Sequence, residues 1–220
     1  MAVSNKILLV EGKSDEAFYT AICDGAGVFT NIKVAPPRIL GGAANNKEGV
    51  FRLLPTLLNQ LNDGTLARLG VVVDADYVTE HGLGFTRTLL RFEEIVLGYG
   101  FQPKRIPAIK GTIFSHHDGL DDIGIWIMPN NRDDGMLENW VKSSVIFEEK
   151  DLLRKSIDTI KDIHDPKFKP IHTVKAEIAT WLAWQAAPGR GMENSVQQKL
   201  LDERSPDYVD FIKWLRHIYI

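Results

Sequence analysis

Ile7-Leu8-Leu9-Val10 is an unbroken apolar run closed by Glu11-Gly12-Lys13-Ser14. A run of this kind, bounded by polar residues, predicts a strand buried on both faces of a parallel sheet. Gly12 permits a sharp turn. Ser14 is the expected N-cap of a helix on which Phe18, Ala21, Ile22 and Gly25 recur at helical spacing. A second strand is expected within Asn31 to Leu40, weakened by Pro36-Pro37, followed by a loop over Gly41 to Asn46. Val50, Leu53, Leu54, Leu57, Leu58 and Leu61 then predict a strongly amphipathic helix, ended by Asn62-Asp63-Gly64. Gly70-Val71-Val72-Val73 is another buried-type run and stops at Asp74-Ala75-Asp76. Residues 6–76 therefore read strand, helix, strand, helix, strand, the order of a parallel sheet with helices on its faces.

Phe85, Leu89, Phe92 and Val96 mark a further helix, closed by Gly98 and Gly100. Pro103 and Pro107 confine any strand over residues 101–109 to a sheet edge. Ile113-Phe114 begins a short strand, and Ile123 to Met128 is a clear one, stopped by Pro129. A polar loop leads to a helix over Gly135 to Lys142. From about Ser143 onward the pattern is helical only, with the clearest stripes over Val174 to Ala186 and Tyr208 to Ile218. Their tryptophans are expected to pack against the α/β part. The same apolar tail offers a surface for an oligomer.

Composition adds limits rather than a function. The 220 residues carry 44% hydrophobic and 25% charged side chains and a net charge of −3, which argues against a strongly basic nucleic-acid coat but leaves room for a local basic groove. A single cysteine, Cys23, cannot form an internal disulfide and fits a reducing cytoplasm. No run reaches membrane-spanning length, and the first apolar run stops at Glu11, too early for a secretory leader. There is no Gly-x-x-x-x-Gly-Lys phosphate loop and no Gly-x-Gly-x-x-Gly after the first strand.

The candidate chemistry lies at the strand ends. Open α/β sheets bind ligands at the carboxyl edge of their strands, where Glu11 and Asp74 are expected. Residues two apart in a strand share a side, so Asp76 is expected to face the same way as Asp74. Three acids on one edge raise each other's pKa unless a cation neutralises them, and hard oxygen donors suit one or two Mg²⁺ or Mn²⁺ ions. Asp15 lies one helical turn after Glu11, while Glu16 reads as a complement to the helix dipole. Lys13, Lys47 and Lys110 are the expected lining of a groove for substrate phosphates. His116-His117, without another histidine or cysteine at ligand spacing, reads as an exposed turn.

Glu11-Gly12 after the first strand and Asp74-Ala75-Asp76 after a later one resemble the Toprim domain over roughly residues 6–110. That domain occurs in type IA and type II topoisomerases, primases, small ribonucleases and overcoming-lysogenization-defect nucleases. The resemblance implies a general acid/base or metal-ligand role for Glu11 and Mg²⁺ ligation by Asp74 and Asp76. Its nuclease branch implies Asp15 as a further ligand. The stretches 125–131 and 135–140 look like a small Toprim-related family of uncharacterised proteins, which brings Glu138 into the candidate metal set. A topoisomerase needs a partner domain with a nucleophilic tyrosine, and a primase needs a zinc module that one cysteine cannot build.

The fold class expected is α/β. It is a Toprim-like (Rossmann-like), largely parallel sheet with helices on both faces over residues 1–142, and a helical C-terminal subdomain over residues 143–220 docked on it. The function expected is a Mg²⁺-dependent nuclease acting on DNA or RNA. The alternatives are a non-catalytic nucleic-acid or nucleotide-binding module and a metal-dependent nucleotide phosphohydrolase.

Overall fold

Each apolar run becomes a strand. The structure, a computed structural model, describes residues 5–27, 32–35, 38, 46–80 and 82–220. Pro36, Pro37 and the loop over Gly41 to Asn45 lie outside the described residues. The strands are β1 (Lys6–Leu9), β2 (Ile32–Ala35), β3 (Arg68–Asp74), β4 (Phe101–Lys104), β5 (Thr112–His116) and β6 (Ile123–Met128). They form one mixed sheet in the order β2-β1-β3-β6-β5-β4. The β2-β1-β3-β6 pairings are parallel, with Leu8 opposite Gly70 and Val72 opposite Trp126. β5 and β4 add on antiparallel, and Pro103 sits in the edge strand β4, where a missing ladder donor is tolerated.

The helices are α1 (Lys13–Ala26), α2 (Lys47–Asn62), α3 (Gly84–Leu97), α4 (Leu137–Ser144), α5 (Lys150–Lys161), α6 (Thr173–Ala183), α7 (Glu193–Gln197) and α8 (Pro206–Tyr219). The β1-to-β2 and β2-to-β3 connections run in opposite directions along the sheet. Because such crossovers are right-handed, α1 and α2 land on opposite faces. The side chains record this division. Leu8, Val10, Val72, Trp126 and Met128 join the cluster that includes α1 and α8. Ile7, Leu9, Val71, Val73, Ile125 and Ile127 join the one that includes α2 and α3.

The N-cap of α1 is Gly12, not Ser14, which is exposed in the first turn. The helix starts two residues earlier than expected because Asp15 reaches back to the Gly12 backbone N–H, half of a capping box. Asn46 caps α2 by accepting the Gly49 N–H at 2.9 Å.

Residues 143–220 are helical apart from one bridge between Val145 and Leu201. Their core is continuous with that of the sheet, so the boundary expected at 142–143 runs through a shared hydrophobic cluster. α8 lies on β3 and β6 because two strand glycines make room for it. A Cβ at Gly124 would sit 2.7 Å from Trp214 Nε1, and one at Gly70 would sit 2.7 Å from the Tyr219 hydroxyl. That hydroxyl donates to Ile7 O at 2.6 Å and accepts the Gly70 N–H at 3.0 Å, joining β1 to β3. The apolar stripe of α8, from Tyr208 through Phe211 and Leu215 to Ile218, is buried within the chain. The tail thus covers the sheet. No helix among the described residues is long and apolar enough to cross a membrane.

Candidate metal centre

β1 and β3 are neighbours, and the connections that leave them go to opposite faces of the sheet. Their carboxyl ends therefore frame the crevice where open α/β sheets bind ligands. Glu11 and Asp74 stand there and are tied to each other: the Asp74 N–H donates to Glu11 Oε1 at 2.9 Å. Asp15 on α1 and Glu138 on α4 complete a half-buried acidic group whose members act on one another electrostatically.

The electrostatics record an excess of negative charge. Burial pushes the Glu11 carboxyl up to about 7, against the opposing pull of the Asp74 N–H and Lys47, with Asp15 and Asp76 adding to the rise. Burial also raises Asp15 to about 6, with Glu138 adding to the effect. Asp74 lies well above the usual carboxylate range, first through burial and then through Glu11, Glu138, Asp15 and Asp76. Removal from water disfavours a carboxylate, and neighbouring carboxylates disfavour it further. Burial works against the charge of Lys175, yet Glu138, Asp74, Asp15 and Asp76 together hold its pKa above the ordinary value. Its ammonium stands 3.8 Å from Glu138 Oε1, while Glu138 Oε2 is buried without a hydrogen-bond partner.

Asp76 departs from the expectation. β3 ends at Asp74, and Asp76 has a φ of +62°, so the strand alternation that would align both aspartates has stopped. Asp76 pairs by backbone with Gly135 across an isolated bridge, and its Oδ2 lies 2.6 Å from the Lys47 ammonium. A short aspartate tolerates the left-handed region better than most residues. Asp74 is also engaged: its Oδ1 accepts the Leu137 N–H at 2.9 Å, satisfying a first-turn donor of α4.

The three lysines expected in one groove are committed to three different acids. Lys47 is buried and holds both Asp76 and the Ala75 carbonyl, the latter at 2.9 Å. Lys13 pairs with Glu16 in its own helix at 2.8 Å. Lys110 pairs with Asp210 of α8 at 2.6 Å. Lys175, which no motif marked, is the cation that reaches the acids from α6. Its only sequence signal was a place in the first turn of an amphipathic helix.

The donor chemistry fits Mg²⁺ or Mn²⁺: four carboxyl groups, one with an orphaned buried oxygen, and little neutralising charge. No three of these groups bring donor atoms within 4.8 Å of one another, since the one trio that does so among the described residues is His116, His117 and Asp118. Any one ion here would therefore be held by one or two of these carboxylates, with water as its other ligands, as Mg²⁺ allows. No curated protein and no solved structure matches this chain. One family model, described as "Protein of unknown function (DUF3226)", matches residues 5–220, and the chain belongs to that family.

Proposed function

We propose that this chain is a Mg²⁺- or Mn²⁺-dependent phosphoryl-transfer protein of Toprim type, a nuclease acting on DNA or RNA phosphodiesters in the cytoplasm. The observation that carries the reading is the Glu11–Asp74 pair at the crevice between two parallel strands, with Glu11 held near neutrality. A carboxyl with a pKa near the working pH exchanges protons efficiently. Glu11 Oε1 already accepts an N–H, so its proton is carried at Oε2, which is the oxygen available to a water or a leaving group. Asp74, with Asp15 or Glu138 as a second ligand, would hold the cation, and water would complete its shell. When bound, it would supply positive charge at the phosphoryl oxygens. Lys47 fixes the Ala75-Asp76 turn rather than facing substrate, and Lys175 supplies the mobile positive charge at the rim.

The test is cleavage of labelled single- and double-stranded DNA and RNA, and of mononucleotides, with Mg²⁺, Mn²⁺ or chelator. Metal-dependent cleavage abolished in both Glu11→Gln and Asp74→Asn is expected. Cleavage that survives both substitutions would place the activity elsewhere.

One observation favours a second reading, a binding module without catalysis. Asp74 caps α4 and Asp76 is locked to Lys47, so both aspartates already have structural tasks. Metal-independent retention of nucleic acid on filters, with no cleavage of any substrate, would select that reading.

A further inference from the structure

A different donor set stands at the other end of the sheet. β5 runs antiparallel to β6, with Thr112 opposite Ile125 and Phe114 opposite Ile123. Its last residue, His116, therefore lies beyond the start of β6, whereas Asp74 is paired with Met128 at the finish of that strand. His117 and Asp118 continue from His116 into a turn closed by the Gly119 N–H on His116 O at 3.2 Å.

Two consecutive carbonyls orient two consecutive rings. His116 Nε2 lies 3.1 Å from Tyr99 O, and His117 Nδ1 lies 2.9 Å from Gly100 O. A carbonyl oxygen only accepts, so each of those ring nitrogens carries the hydrogen. The lone pairs are then left on His116 Nδ1 and His117 Nε2, and both are turned toward Asp118. His116 Nδ1 accepts the Asp118 N–H at 3.1 Å. His117 Nε2 lies 3.2 Å from Asp118 Oδ2, so two acceptors confront each other and need a proton or a cation between them. Donor atoms of the three residues all fall within 4.8 Å. Bonds of about 2.0–2.1 Å to a tetrahedral ion separate its ligands by roughly 3.3 Å.

The neighbouring strand is built around these rings. Gly100 has a φ of +89°, and a Cβ there would lie 2.5 Å from His116 Nε2 and 2.5 Å from His117 Cε1. Only glycine lets the backbone pass this close to both imidazoles, which stack with centroids 4.5 Å apart. Anchoring one ring nitrogen on a carbonyl while presenting the other is how metal-bound histidines are held. The group opens on a cleft of about 510 Å³ that also includes Asn59 and Asn62.

We propose that His116, His117 and Asp118 form a second cation site for a borderline transition metal of the Zn²⁺ class. The metal takes His117 Nε2 and Asp118 Oδ2 directly, and takes His116 Nδ1 in exchange for the Asp118 N–H. Two imidazoles and one carboxylate select Zn²⁺, Co²⁺ or Ni²⁺, unlike the all-oxygen edge at Glu11 and Asp74. The site stands apart from the proposed phosphoryl chemistry and does not depend on it.

The experiment is a titration of untagged full chain carrying Glu11→Gln and Asp74→Asn, in millimolar Mg²⁺, with Zn²⁺ by calorimetry and Co²⁺ by visible absorption. One equivalent bound is expected. His117→Ala, its folding checked by its melting curve, should weaken binding by about tenfold or more, and Asp118→Asn by less. Absence of saturable Zn²⁺ binding, or binding unaltered by His117→Ala, would overturn the proposal.

Discussion

The sheet face covered by α1 and α8 is rich in tryptophan and tyrosine, whereas the face covered by α2 and α3 is mainly aliphatic, with phenylalanine as its buried aromatic residue. On the first, Trp126 meets Phe211 edge-on at 5.0 Å, Trp140 stacks on Tyr208 at 5.5 Å, and Phe18 meets Trp140 edge-on at 5.9 Å. On the second, Leu53, Leu54, Leu57, Leu58 and Leu61 of α2 pack with strand valines and isoleucines. The candidate chemistry follows the same division. Asp15, Glu138 and Lys175 ride on α1, α4 and α6, which contribute Phe18, Trp140 and Trp181 to the aromatic cluster. The aliphatic face sends only Lys47. Directional aromatic contacts fix the position of a helix more tightly than interchangeable methyl groups do. The acids thus ride on the helices that carry the larger share of directional aromatic contacts.

Truncation of one large side chain on each face is the strongest way to break this comparison. Trp140→Ala should cost about 3–5 kcal/mol and Leu54→Ala about 2–5 kcal/mol in chemical denaturation. Only the tryptophan change, two residues from Glu138 and packed on α1, should also weaken Mg²⁺ binding measured by calorimetry on the folded fraction. Equal weakening in both variants would show that the faces do not differ in this respect.

A smaller effect concerns pH. Glu11 and Asp15 have folded-state pKa values raised to about 7 and about 6, above those of an unfolded chain. A carboxyl raised in this sense favours folding fully below its unfolded pKa, and the benefit is lost as pH climbs through the folded value. In chelator, stability should therefore fall between pH 5 and pH 8, by an amount on the order of 2–3 kcal/mol for Glu11. Glu11→Gln should flatten the curve, and Mg²⁺ should restore stability more at pH 8 than at pH 5. A melting temperature in chelator that is level across this range would refute the buried-charge account.

The smallest effect probes the cationic rim. Lys175 competes with a divalent ion for the same acids but is itself 46% exposed, so solvent screens it. Lys175→Met should tighten Mg²⁺ binding by about two- to fivefold while reducing any cleavage, because the rim charge that meets phosphate is gone. Looser Mg²⁺ binding in this variant would mean that Lys175 organises the acids rather than opposing the ion.

The strands were legible because uninterrupted apolar runs such as Val71-Val72-Val73 have few alternatives, and Glu11 and Asp74 followed from the ends of those runs. Asp76 was misread because its backbone is decided by Gly135 and Lys47, neither of which neighbours it in sequence. The N-cap assignment failed because the carboxyl of Asp15 reaches back to Gly12, a choice that local propensity for serine does not reveal. Of the two histidines expected in an exposed turn, His117 lies in one while His116 ends β5 half-buried, and the carbonyls that aim their rings come from Tyr99 and Gly100 on another segment. Lys175 carries no motif and meets the acids only because α6 packs beside α4.

The Tyr219 hydroxyl, lodged between Ile7 and Gly70, has a consequence for the order of events during synthesis. Both strands are made before α8, and the group that satisfies polar atoms of each follows 212 residues after Ile7. Until then the Ile7 carbonyl and the Gly70 N–H lack the buried hydroxyl that serves them both. The crevice that presents Glu11 and Asp74 lies at the carboxyl ends of those two strands, so α8 has to dock before the sheet beneath the candidate site is fully packed.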